Sequence, residues 1–269
     1  MDTQELLKSA SREQIESWCR KNAQSLYLGD RVLCRVLGKY LMVALSDDRS
    51  LTPHLALDGY WEIWITMAIA QFVRPGMTCI DVGANVGYYS VLMADWVGPT
   101  GTVVAVEPEA RNYAALEANL ENASATVHAH HVAASDRVGK AHLTVVRDHG
   151  GNHTLEKHSS PSAEFSSETV DTMTLDELTR YLPRVDLIKM DVEGHERKVW
   201  LGMLELLKRF PRVQIVAEWL RGCDPECELG QMAEQAGFYL HEVMPDGKLR
   251  PIALSEVPQA EWRMLWCVR

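Results

Sequence analysis

The chain has no excess of positive charge. Its formal net charge is −10 at pH 7, from 27 Lys and Arg against 37 Asp and Glu, whereas a nucleic-acid binder usually carries a basic footprint. No nucleic-acid partner is therefore expected. Neither a leader nor a membrane span is expected. The opening MDTQELLKSA is polar and acidic, without the basic start and apolar core of a signal peptide. The most apolar stretch, Ile63 to Val73, is too short to cross a bilayer and is interrupted by Thr66 and Gln71. Cytoplasmic residence is the expectation. The six cysteines are scattered through the chain, which suits reduced thiols rather than a disulfide framework. Cys223 and Cys227 could open a zinc site, but no second pair or nearby histidine cluster completes four ligands. Internal repeats and low-complexity tracts are lacking as well.

What remains is an ordinary globular composition. Hydrophobic residues make up 46% and charged residues 24% of 269, enough for a sizeable core without covalent or metal staples. Residues 1–60 form an N-terminal extension, a cap or a dimer arm through which the chain could self-associate. It has helical pattern from Glu5 to Leu28 and strand-like runs at Val32 to Leu37 and Tyr40 to Leu45. Residues 61–269 form the main domain. Short β-branched runs alternate there with helical stretches, the mark of βαβ units and a parallel sheet. Strands are expected at Thr78 to Val82, Thr102 to Glu107, Thr126 to Ser135, Val185 to Asp191 and Val213 to Trp219. An extra strand is read at Ala141 to Val146. His149 to Ser167 lacks periodicity and reads as a mobile functional loop. Phe238 to Met244, the Asp246-Gly247 turn and Trp262 to Val268 suggest an antiparallel edge.

The sharpest local signal is Ile80-Asp81-Val82-Gly83-Ala84-Asn85-Val86-Gly87-Tyr88, between a strand and a helix. Glycines at 83 and 87 permit a tight turn at the carboxyl edge of a sheet. A dinucleotide site wants G-x-G-x-x-G under a pyrophosphate; here Asn85 stands where the second glycine would be. An acid before the turn suits a cationic ligand without phosphate. S-adenosylmethionine (SAM) is such a ligand: Asp81 could sit near its amino end, and backbone N–H groups of residues 83–87 could meet its carboxylate. Glu107, ending the second strand, can accept two ribose hydroxyls. That last feature serves NAD equally well. The fourth strand ends in Lys189-Met190-Asp191-Val192-Glu193-Gly194-His195-Glu196, three acids and an imidazole at the same sheet edge.

With these two motifs in register the sequence resembles the FkbM family of SAM-dependent methyltransferases. Leu57-Asp58-Gly59-Tyr60-Trp61-Glu62 and Ala134-Ser135-Asp136 add to the likeness, which runs from about Val32 to Trp219. The resemblance implies a class I methyltransferase fold: a mostly parallel, Rossmann-like, seven-stranded α/β sheet with helices on both faces. It also implies O-methylation of a hydroxyl on a small-molecule natural product, sugar or glycan. By motif match Asp81, Gly83, Asn85, Gly87 and Glu107 would bind SAM, with Ser135 and Asp136 near the adenine amine. Asp191 and Glu193 would line the transfer site, and Tyr60 and Glu62 would meet the acceptor. His195 occupies the variable position of the motif and inherits no role. Its chemistry alone makes it a candidate base, against the plainer reading of a solvated helix start. Asp191 and Glu218, ending neighbouring strands, could share one Mg²⁺. Two other readings stay open: an NAD(P)-dependent oxidoreductase and a SAM-binding module without catalysis.

Overall fold

The computed structural model describes residues 2–146, 155 and 165–269. Most of the loop expected from His149 to Ser167, with His149, His153 and His158, lies outside the described residues.

The chain starts with two short helices, α1 (Thr3–Ser9) and α2 (Arg12–Asn22). The helical pattern read from Glu5 to Leu28 stops at Asn22, with residues 25–27 extended instead, and is divided by Ser11. Its hydroxyl accepts from the Gln14 N–H, and the Gln14 side chain accepts from the Ser11 N–H, a reciprocal cap that starts a helix afresh. A three-stranded meander follows: β1 (Ser25–Tyr27), β2 (Arg31–Val36) and β3 (Tyr40–Leu45). Then come α3 (Thr52–Leu57) and α4 (Ile63–Phe72).

The central layer is built from β4 (Thr78–Val82), α5 (Tyr88–Val97), β5 (Thr102–Val106), α6 (Ala110–Leu120) and β6 (Thr126–His130). A side sheet interrupts it, made of β7 (Ala133–Ala134), β8 (Gly139–Val146) and β9 (Phe165–Met173). The expected third strand is thus split between β6 and β7, and residues 165–167 belong to β9. After α7 (Leu175–Leu178) the layer resumes with β10 (Leu187–Met190), α8 (Glu196–Leu201), α9 (Leu204–Arg209), β11 (Gln214–Leu220) and α10 (Glu228–Gln235). It closes with β12 (Tyr239–Val243), β13 (Leu249–Pro251) and β14 (Trp262–Val268).

The strand order is β13-β12-β14-β11-β10-β4-β5-β6. From β11 to β6 every pairing is parallel, and β14, β12 and β13 pair antiparallel. This is a class I methyltransferase-type α/β sheet with one more strand than expected, the three-residue β13. The Asp246-Gly247 turn leads into β13. The last strand instead inserts between β12 and β11, so the two are joined through longer chain than a hairpin.

Alternating positions on the strands feed two cores. Ile80, Val82, Ile188, Met190 and Ala217 pack against α7 to α10. Cys79, Leu187, Val216 and Trp266 share the other core with α4, α5 and α6, and also with Leu7, Ile15, Val36 and Met42 of the N-terminal segment. That segment therefore covers part of one sheet face.

Candidate active site

Parallel strands β4, β5 and β10 end side by side, and three backbone bonds stitch their ends. Gly83 and Ala84 both donate to Val106 O, at 3.0 Å each, and Asp191 N donates to Val82 O at 3.1 Å. Gly83 has φ +76°, and a Cβ there would lie 1.9 Å from the Asp191 carbonyl oxygen; one on Gly87 (φ +91°) would lie 2.6 Å from Leu116 Cδ1. Glycine is demanded by the neighbouring strand and by α6. Asn85 also takes a left-handed φ of 53°, tolerated because its own Oδ1 accepts from the Val86 N–H at 2.7 Å. The N–H groups of 83–87 were expected to face a ligand carboxylate. All five are used internally: the remaining two run from Asn85 to Glu107 Oε2 (2.8 Å) and from Gly87 to Ala84 O (2.8 Å). The turn is thus a self-satisfied rim.

Beside the rim lies a cleft open to solvent. Val106, Pro108, Ala133, Ala134 and Leu143 form an apolar wall; Asn85, Glu107, Asp191, Glu193 and His195 supply polar groups. Glu107 is 4% exposed, and its two oxygens accept from the Asn85 and Glu109 N–H groups at 2.8 and 2.9 Å. Burial pushes its pKa up to about 7. The Asn112 side chain also hydrogen-bonds this carboxylate, which leaves about one of its four or so acceptor sites for a ribose hydroxyl. The wall, Glu107 and the acids suit the aromatic base, the ribose and the cationic end of SAM respectively.

Asp81 is placed elsewhere. It is fully buried and absent from the cleft wall; Oδ2 accepts from Ser90 at 2.6 Å, and Oδ1 lies 3.9 Å from Lys189 Nζ. Register explains this, because Asp81 and Lys189 are cross-strand neighbours on one sheet face. Lys189 also reaches Asp191 Oδ2 at 3.1 Å and sits over the Tyr89 ring at 5.0 Å. Burial would lower the Lys189 pKa, but Asp191 and Asp81 outweigh it and hold the ammonium firmly charged. No role was read for Lys189 from sequence, although a lysine inside an apolar central strand was a visible signal.

Asp191, Glu193 and Glu218 converge: one carboxylate oxygen of each lies within 4.8 Å of the others. Glu193 is held in a left-handed conformation, φ 54°. Glu218 Oε1 accepts from the Trp262 indole N–H at 2.6 Å, while Oε2 is buried without a hydrogen-bond partner among the described residues. Burial first, and then the Asp191 charge, raises the pKa of both Glu193 and Glu218. Glu62, half-buried with φ 37°, accepts from Tyr89 OH at 3.0 Å. Its pKa is pushed up to about 7 by burial and by Asp191. Tyr60 parts from Glu62: its hydroxyl accepts from Arg20 of α2, and it is absent from the cleft wall. His195 is 4% exposed, not the solvated helix start of the plainer reading, and bonds through Nε2 to Ser135 Oγ at 3.0 Å. Ser135 and Asp136 stand outside the wall formed by Ala133 and Ala134.

Residues 81–244 match the Methyltransferase FkbM domain. The chain belongs to the FkbM methyltransferase family. It is 30% identical over 179 residues to 31-O-demethyl-FK506 methyltransferase FkbM of Streptomyces tacrolimicus, covering 54% of this chain and 66% of that one. It is 29% identical over 144 residues to Methyltransferase 1 of Beauveria bassiana (strain ARSEF 2860), covering 46% and 57%. Less than two thirds of either relative is spanned. Among solved structures it is similar to the SAM-bound fibrillarin of Aeropyrum pernix, with a TM-score of 0.45 and 14% identity over 91% of this chain and 97% of that one. That likeness is too low to carry weight. The matched FkbM span includes the turn and the Asp191–Glu193 motif but leaves out Trp262, which bonds Glu218, and Glu62, which feels the Asp191 charge.

Proposed function

We propose that this FkbM domain transfers the sulfonium methyl group of SAM to a hydroxyl oxygen of a small-molecule natural product or glycan. The observation that carries the reading is the joining of the apolar, Glu107-bearing cleft to the Asp191–Glu193–Glu218 cluster at one sheet edge. The name of the Streptomyces relative, an O-demethyl substrate's methyltransferase, favours oxygen as the acceptor atom.

Methyl transfer from a sulfonium is an in-line displacement with an activated donor. The main task of the protein is alignment, which supplies roughly 7–11 kcal/mol in favourable cases. Glu107 holds the ribose and the apolar wall holds the base, leaving the methyl group toward Asp191 and Glu193. Glu62 sits on the acceptor side, and His195 takes the acceptor proton. A divalent cation such as Mg²⁺ belongs to this reading. Asp191 and Glu218 are the residues that would hold it, and the chemistry it would supply is a lower pKa for a bound hydroxyl. The unpartnered Glu218 Oε2 supports that assignment.

Thermal unfolding with SAM, its demethylated product, NAD and NADP, each with Mg²⁺ and with chelator, tests the reading. A ligand at 100 times its Kd adds about 2.7 kcal/mol, or roughly 5–10 °C for a domain of this size. A rise with SAM and its product alone is expected. A rise with NAD or NADP instead would overturn the proposal and favour an oxidoreductase. SAM binding followed by no turnover across an acceptor screen would favour a non-catalytic module.

A further inference from the structure

Asn119 stands in the last turn of α6, and its carboxamide ties two distant parts of the chain together. β3 is an edge strand of the N-terminal meander, where alternate residues turn both backbone groups outward. Val43 is one of them. Its N–H donates to Asn119 Oδ1 at 2.7 Å, and its carbonyl accepts from Asn119 Nδ2 at 2.9 Å. The second proton of Nδ2 goes to Val86 O at 2.7 Å. One donor and two acceptors thus face the amide, and only one orientation of it satisfies all three. Val86 belongs to the glycine turn. Its N–H is held by Asn85 Oδ1 at 2.7 Å, and the Asn85 N–H donates to Glu107 Oε2 at 2.8 Å. One helical turn before Asn119, Leu116 lies where a Gly87 side chain would be. At the other end of α6, Arg111 pairs with Asp47, just past β3, at 2.8 Å.

We propose that Asn119 is a positioning residue for the ribose-binding acid, through which the N-terminal meander is coupled to cofactor affinity. The hydrogen-bonded path runs Val43–Asn119–Val86–Asn85–Glu107. Asn85 and Glu107 stand in the cleft wall and Asn119 does not, so its effect on a ligand passes through them. Val86 is buried, and its carbonyl, stripped of the amide, would turn toward another donor. That movement would disturb the adjoining Asn85, whose left-handed φ of 53° already needs local support. With it would go the N–H aimed at Glu107. The inference rests on the assignment of Glu107 to the SAM ribose made above.

A double-substitution cycle on SAM affinity, read by calorimetry, tests the path without an acceptor. Asn119→Leu keeps the bulk of the side chain and removes all three bonds, so SAM should bind about three- to tenfold more weakly. A purely structural role would also lower the unfolding midpoint, so the deciding readout is the combination with Glu107→Gln. Acting through Glu107, Asn119→Leu should add almost nothing to it, and the double variant should bind SAM about as weakly as Glu107→Gln alone. Independent effects would instead multiply. Asn119→Ser, which leaves room for water at the freed carbonyls, takes the place of the leucine variant if that one does not fold. A change of less than about twofold in the folded Asn119 variant, or factors that multiply, overturns the inference while leaving the methyl-transfer reading standing. A wild type that binds no SAM overturns both.

Discussion

At Asp191 three demands meet on one residue. Its backbone N–H ties β10 to β4, its carbonyl sits where a Gly83 side chain would be, and its carboxylate meets Lys189 and the two glutamates. Its side chain and main chain can therefore be tested apart. Asp191→Asn keeps the shape and removes the charge; we expect turnover on any acceptor found by screening to fall about 10²-fold or more, with SAM affinity in calorimetry little changed. Full activity in that variant would show that the transfer site has been misplaced. Gly83→Ala acts on the main chain instead. A Cβ 1.9 Å from a carbonyl oxygen, at φ +76°, must push β10 aside. We expect a loss of about 2–4 kcal/mol in urea unfolding, together with weaker SAM binding. Glu107→Gln replaces one of the two oxygens with an amide nitrogen that cannot accept the Asn85 or Glu109 N–H; SAM affinity should drop by about tenfold and the unfolding midpoint should fall with it.

Among the elements, β14 changes the picture most. It inserts between β12 and β11 and brings Trp262 to Glu218, 44 residues earlier in the chain. Trp262→Phe keeps the ring and removes the N–H that fixes Glu218 Oε1. Outer hydrogen bonds of this kind are worth about 10–100-fold in metal affinity, so Mn²⁺ binding, followed by loss of the free-ion electron paramagnetic resonance signal, should weaken by that factor; unchanged affinity would argue against Glu218 as a ligand. This element also marks the limit of what the chain reveals on its own. The glycine turn and the Asp191–Glu193 motif were legible because both sit where an apolar strand stops and polar residues begin, a local contrast. The mostly parallel character of the sheet was legible from the alternation of runs. The place of β14 was not, since antiparallel insertion depends on pairing between strands far apart in sequence. Nor was the α1–α2 break, where a two-residue cap outweighed helical periodicity. The pairing of Asp81 with Lys189 depends on cross-strand register, and the Ser135–His195 bond spans 60 residues.

For the molecule as a whole, the buried carboxyls set a direction with pH. Glu107 is raised from 4.5 to about 7, and Glu193 and Glu218 are raised as well, all chiefly by burial. Between pH 4.5 and 7 or above, the folded ligand-free chain therefore holds protons that the unfolded chain has released. Stability from these groups is fully present below 4.5 and is lost as pH rises through the folded values. The Tm of the ligand-free protein should accordingly be lower at pH 8 than at pH 6. A cation at the cluster competes with those protons, so Mg²⁺ should raise the Tm more at pH 8 than at pH 6. An Mg²⁺ effect equal at both values would remove the cluster as its site. Glu62 and Trp262 approach that cluster from opposite sides of the matched family span, and the apolar core beneath it is shared with the first forty residues. The span is accordingly not a transplantable cassette. A chimera that grafts residues 81–244 between foreign flanks would keep the glycine turn and the Asp191–Glu193 motif but lose Glu62, Trp262 and the flanks' share of the core, so on the methyl-transfer proposal it is the flanks, repacked against the span, that would carry a change of acceptor preference.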